Sequence, residues 1–185
     1  MLAATAFLVE VPRLCPKSIK ASITPYTVAQ RGPSSGSCAA TTCFSMRIGR
    51  VFISTALKRS QNNSPLASGF LTGKLTSGED VEGTRFDRTN TAGAFHQSWY
   101  DKPGMHWAIN KLQVVIKPHK LTLAGVSLRW LMYHSMLGEG DGIILGGSKF
   151  DQIASNVADI AKGLLEKVVV KALNEMWLSV KIEAP

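Results

Sequence analysis

Acidic residues are nearly missing from the first third of this 185-residue chain. Glu10 is the one acid in residues 1–63, against eight Lys and Arg, a local charge of +7. Cysteine is missing from the rest: Cys15, Cys38 and Cys43 all lie before residue 44. The three have no zinc spacing, and any disulfide pair leaves one over. That excludes a secreted disulfide scaffold and leaves reduced, incidental thiols. No apolar run reaches the ~18 to 20 residues of a membrane span, so a membrane partner is not expected. His96, His106, His119 and His134 have neither ligand spacing nor an acid partner evident in the sequence, which assigns them to surface or packing roles rather than metal binding or catalysis.

What is present divides in two near residue 63. Hydrophobic residues make up 45% and charged residues 18%, the balance of a globular chain. Residues 64–185 hold 13 Lys and Arg against 12 Asp and Glu, so nearly all of the net +8 sits in residues 1–63. That first segment suits either an organellar transit sequence or a stretch not selected to fold. Pro12, Pro16, Pro25 and Pro33 interrupt any long helix. Residues 30–37 read as a loop, and Val51–Thr55 reads as a short strand by its β-branched content. The basic residues are scattered without interleaved aromatics, so a nucleic-acid partner is not expected.

From Ser64 onward the pattern is orderly. Residues 76–104 read as a long glycine-dotted loop. Met105 to Lys117 fits a helix ended by Pro118. Thr122 is placed to cap a second helix running to about Met136. Ile143-Ile144-Leu145 is a short, wholly apolar run, as in a buried parallel strand. Ser148-Lys149-Phe150-Asp151 has the spacing of a capping box opening a third helix, which Gly163 closes. Glu166 to about Lys181 forms a fourth. Trp107, Trp130 and Trp177 fall on helix faces and are expected in the core. One parallel strand flanked by helices requires partner strands to cover it.

Two segments have the residue types of a phosphate cradle. At Gly146-Gly147-Ser148-Lys149 a strand runs through a glycine pair into a helix N-terminus, where free N–H groups and the helix dipole favour an anion. Lys149 adds a full charge and Ser148 a hydroxyl. Gln152 and Asn156 lie one and two turns on, on one face, with amides that can meet an adenine edge. In the other segment, Ser64-Pro65-Leu66-Ala67-Ser68-Gly69 packs small residues around a proline and Lys74 follows. Taken singly, each is equally an ordinary turn or capped helix.

Together they resemble the aldo-keto reductase family, and within it the aflatoxin-aldehyde-reductase-like branch that includes fungal enzymes of secondary metabolism. Ser64 to Lys74 looks like the family's S/N-P-L-x-x-G-x-L-T-G-K stretch. Ser127 to Ser135 looks like the helix before its last strand. Ile144 to Ser148, with Gln152 and Asn156, looks like its last strand and NADP helix. The resemblance covers about residues 64–182.

It implies an α/β fold: the C-terminal part of a (β/α)₈ TIM barrel, incomplete here and preceded by an irregular segment over residues 1–63. The implied cofactor is NADP, held on the pyrophosphate side by Ser64, Pro65, Leu66, Ala67, Ser68, Gly69, Leu71, Thr72, Gly73 and Lys74. Ser148, Lys149, Gln152 and Asn156 would take its 2′-phosphate and adenine. Arg85 is the candidate for a loop arginine near the cofactor. The implied activity is hydride transfer to a small-molecule carbonyl in a biosynthetic pathway, in the cytoplasm. The family's Tyr donor, its Lys and Asp, and its orienting His come from the first four strands and have no counterpart in this sequence. Tyr26 is not assigned a catalytic role. The chain is therefore expected to be a truncated reductase, inactive alone. The alternative is a non-catalytic NADP-binding remnant or interaction module.

Overall fold

A computed structural model describes residues 5–10, 24–26, 61–62, 65–89, 91–135, 137 and 142–184. Four strands form one mixed sheet: β1 (Thr5–Glu10), β2 (Thr24–Tyr26), β3 (Gln61–Asn62) and β4 (Gly142–Gly147), in the order β2-β1-β4-β3. β4 pairs in parallel with β3 and antiparallel with β1, which in turn pairs antiparallel with β2. Three of these strands thus fall in residues 1–63, the segment read as irregular, and Tyr26 is a strand residue opposite Ala6. The strand expected at Val51–Thr55 lies outside the described residues.

The helices follow the sequence pattern closely. A 3₁₀ turn (Ala67–Thr72) leads into the one-turn α1 (Lys74–Ser77). α3 (Pro103–Ile116) starts on a proline, whose missing N–H costs nothing at that position. It ends in a 3₁₀ turn around Pro118. α4 (Leu123–His134) is capped by Thr122, whose hydroxyl accepts from the Gly125 N–H at 3.0 Å. α5 (Phe150–Ala161) closes at Gly163, in the left-handed region with φ 78°. α6 is Lys167–Val180.

Two apolar clusters hold these elements. In one, Ile143 and Leu145 of β4 pack with Leu128, Leu131 and Met132 of α4 and Ile160 of α5. Alternation along the strand leaves Ile144 on the other face, where it is half-buried. The larger cluster joins α3 and α6 through Met105, Ile109, Leu112, Val169, Leu173 and Val180, with Phe70, Tyr100 and Val126.

Three expectations are corrected. The loop at 76–104 contains a helix, α2 (Thr91–Tyr100). Its Gln97 and Tyr100 are buried while Phe95 is exposed, so its inward face is too narrow and too polar to stand out by hydropathy. The capping box at Ser148 does not form. Lys149 occupies the cap position with no side-chain cap bond, so Ser148 lies one residue too early. Trp107 is half exposed, with Lys111 Nζ 4.4 Å from its ring centroid, rather than in the core.

Candidate functional site

The parallel pairing of β3 with β4 decides where the two cradle segments go. Gln61 lies opposite Gly142 and Asn62 opposite Ile143, so both strands leave the sheet at the same end. From that end one chain continues into the Pro65–Lys74 segment and the other into Ser148 and α5. Leu66, in the first segment, packs against both apolar clusters.

The first segment is a strained turn on a rigid base. Ala67, Ser68 and Gly69 all have positive φ, at 52°, 59° and 103°. Two of the three are not glycine, and each such residue costs about 1–3 kcal/mol. The surroundings enforce the geometry. Leu66 O accepts from both Gly69 N–H (2.9 Å) and Leu71 N–H (3.2 Å), and the Thr72 hydroxyl donates to Gly69 O at 2.7 Å. Ala67, Phe70 and Leu71 are buried, and Phe70 stacks on Tyr100 with centroids 5.5 Å apart. Leu66 (φ −111°, ψ 18°) precedes the left-handed Ala67. A turn into the left-handed region of this kind brings successive N–H groups toward one side, an arrangement suited to an anion. Gly73 sits at φ 84°, where side chains are strained, and a Cβ there would displace Leu123 Cδ1, 2.6 Å away. Lys74 is exposed beside this turn. Ser64 lies outside the described residues.

The second segment opens α5. Gly146 faces open space, with no atom within 4 Å of a Cβ built there. Ser148 N–H and its hydroxyl both donate to Gln152 Oε1, at 3.2 and 3.3 Å. Gln152 therefore sits over the helix start, one turn from Ser148 on the same face. Lys149 is exposed and Asn156, a further turn on, is half-buried. The first-turn N–H groups and the Lys149 ammonium form a donor set suited to a phosphate, while the Ser148 hydroxyl is engaged by Gln152. Asp151 in the same first turn is the one opposing charge there.

Arg85 lies in the turn before α2. Its charge, second to burial, holds the His96 ring below the ordinary imidazole range. The histidines do have partners that spacing did not reveal. His106 Nε2 meets Asp101 Oδ1 at 2.9 Å and its Nδ1 meets Thr76 Oγ1 at 2.9 Å. Asp101 accepts from Arg88, which also donates to Gln97. This chain of polar contacts fastens the segment after the strained turn to α3. His119 lies 3.3 Å from Glu166. His134 accepts from the Leu165 N–H at 3.1 Å, and burial, then the nearby Arg129, lowers its pKa. Among the described residues no group of three His, Cys, Asp or Glu is arranged to hold a metal ion. No helix among them is long and apolar enough to cross a membrane.

Residues 60–178 match the sequence model of the Aldo/keto reductase family. The chain belongs to that family. It is 34% identical over 124 residues to an aldo-keto reductase of Pseudocercospora fijiensis, covering 64% of this chain and 41% of the relative. It is 35% identical to the oxidoreductase sirO of Leptosphaeria maculans, over 66% of this chain and 37% of the relative. It is 31% identical to aflatoxin B1 aldehyde reductase member 2 of Rattus norvegicus, over 66% and 35%. The chain thus spans about two-fifths of the length of these relatives.

Proposed function

We propose that the edge where β3 and β4 leave the sheet binds NADP(H), and that the chain carries the cofactor side of a carbonyl-reducing (β/α)₈ barrel enzyme. The observation behind this reading is the pairing of two anion cradles on one sheet edge. One is the backbone that turns left-handed at Ala67 and Ser68. The other is the α5 N-terminus with Ser148 and Lys149. A pyrophosphate would lie on the Leu66–Ser68 N–H groups, with Lys74 as counter-charge. A 2′-phosphate would lie against Ser148 and Lys149, and Gln152 and Asn156 would meet the adenine. The cofactor supplies the hydride when bound. The residues of this chain orient it and neutralise its phosphates. The family relatives named as reductases and oxidoreductases support a small carbonyl compound as the substrate class.

The Tyr, Lys and Asp that the resemblance assigns to proton transfer, and the His it assigns to orienting the substrate, have no counterpart in this sequence. For the 185-residue chain, the proposal is therefore nucleotide binding without turnover. NADPH fluorescence and NADPH oxidation with an added aldehyde, followed in the same purified sample, test both halves. A saturable fluorescence change without oxidation is the expected result. An unchanged signal contradicts the binding site, and aldehyde-dependent oxidation contradicts the absence of turnover.

A further inference from the structure

Lys74, the proposed counter-charge for the pyrophosphate, opens a helix too short to hold itself. α1 has four residues, and a single helical turn is not stable alone. Within it, the Lys74 carbonyl accepts from the Ser77 hydroxyl at 3.0 Å and from the Glu79 N–H at 3.1 Å. Those bonds close the turn on itself and do not orient it. Two ties to the rest of the fold do. Half-buried Leu75 packs against the larger core. Thr76 makes the polar tie: its Oγ1 lies 2.9 Å from Nδ1 of His106, thirty residues on in α3.

His106 is itself held on its other sides. Its Nε2 lies 2.9 Å from Asp101 Oδ1. A carboxylate only accepts, so in the neutral ring Nε2 carries the hydrogen and Nδ1 is left to accept from the Thr76 hydroxyl. The ring also packs steeply on Phe70, with centroids 5.5 Å and planes 66° apart. Phe70 is the buried anchor of the strained turn. Asp101 in turn accepts from Arg88 at 3.1 Å, Arg88 donates to Gln97, and the Gln97 amide donates to Phe86 O. The Phe86 ring returns to Phe70, with centroids 6.4 Å apart. The contacts therefore close a circuit through Phe70. The circuit fixes the imidazole, and the imidazole fixes Thr76, two residues from Lys74.

We infer that Thr76 and His106 are positioning residues for the nucleotide edge: the hydrogen bond between them aims α1 so that the Lys74 ammonium faces the pyrophosphate. Neither residue is assigned a contact with the nucleotide, and both act through Lys74. The inference rests on the nucleotide reading above and adds the residues that direct its counter-charge.

Calorimetric titration with NADPH tests it in the wild-type chain, Lys74→Met, Thr76→Val and the double variant, with thermal melting by circular dichroism to show that each is folded. Lys74→Met is expected to weaken binding by about tenfold or more. Thr76→Val keeps the shape without the hydroxyl and is expected to weaken binding in the wild-type chain, yet to change nothing further in the Lys74→Met chain. Thr76→Ser keeps the hydroxyl and is expected to bind as the wild type does. His106→Asn places a carbonyl where Nδ1 stood, whereas His106→Gln reaches toward Asp101 instead. Both lose the ring alike, and His106→Asn is expected to bind more tightly. A wild type that binds no NADPH overturns the nucleotide reading, and this inference with it. With binding present, four results overturn the inference alone: full affinity in Lys74→Met or Thr76→Val; a Thr76→Val loss of equal size in both backgrounds; a Thr76→Ser chain as weak as Thr76→Val; or His106→Asn no tighter than His106→Gln.

Discussion

Arg129 on α4 donates from Nε to the carbonyl oxygen of Gly163 at 2.6 Å and from Nη2 to that of Leu164, clamping the chain where it leaves α5. Both carbonyls lie in the turn just past the helix, and a buried guanidinium from the neighbouring helix supplies their donors. Tyr133 adds a bond from its hydroxyl to Ile160 O at 2.8 Å, and His134 accepts from the Leu165 N–H. Three residues of the last turns of α4 therefore fix the exit of α5 and, with it, the pose of the helix that begins after Ser148 and Lys149. Burial lowers the Arg129 pKa, while Asp159, Tyr133 and Glu166 act in the opposite direction, so its desolvation is partly offset.

Arg129→Met keeps much of the stem but removes both donors. Leaving these carbonyls unsatisfied costs about 2 kcal/mol. In a chain of this size that is a fall in Tm of roughly 4–8 °C. Thermal unfolding followed by circular dichroism checks it, and an unchanged Tm shows that water replaces the guanidinium without loss.

Acid destabilises this fold through two histidines. Burial, then Arg129, lowers His134 below the free-imidazole value of 6.5, and burial, then Arg85, does the same to His96. In both, folding favours the neutral ring, so the unfolded chain binds more protons. Their stabilisation is present above the unfolded pKa and is lost as pH falls below 6.5 toward the lower folded values. The Tm is expected to drop between about pH 6.5 and pH 5, above the range where carboxylates titrate. His134→Gln keeps an acceptor for Leu165 N–H without titrating, and should flatten that slope. An identical slope in the variant removes His134 from the account.

The periodic helices were legible in the sequence because their apolar residues recur on one face and their ends carry Pro118, Thr122 and Gly163. α2 was not, since its inward side depends on Gln97, whose amide donates to Phe86 O at 2.5 Å. A polar residue buried by a tertiary partner leaves no hydropathy signal. The Ser148 box failed for a related reason. Gln152, four residues on, takes up the Ser148 N–H and hydroxyl, so the cap bond the spacing suggested is replaced by another. Of the cofactor segments, the residue types were legible, but the left-handed Ala67 and Ser68 were not. Neither residue prefers that region, and tertiary packing of Phe70 and Leu71 together with the hydrogen bonds to Leu66 O and Gly69 O holds them there.

Gly93 in α2 tolerates no side chain. A Cβ there would lie 1.7 Å from the backbone oxygen of Asp87, which has no flexible end to move aside. Gly83, at φ 68° in open space, carries a conformational penalty alone. Gly93→Ala is therefore expected to lower the urea midpoint more than Gly83→Ala, whose cost is about 1 kcal/mol. Equal midpoints contradict the close approach of α2 to the Asp87 turn.

The central claim is that the edge formed by β3 and β4 reads a phosphorylated dinucleotide, with Lys149 on the 2′-phosphate. The most direct test is calorimetric titration of the purified chain with NADPH and with NADH, in the wild type and in Lys149→Met. A charge-assisted contact is worth about 1.5–3 kcal/mol, which is a preference of roughly tenfold or more. The account predicts that the wild type binds NADPH more tightly than NADH by that margin and that Lys149→Met weakens NADPH to the level of NADH. Equal affinity for the two nucleotides in the wild type, or a preference that survives Lys149→Met, contradicts it.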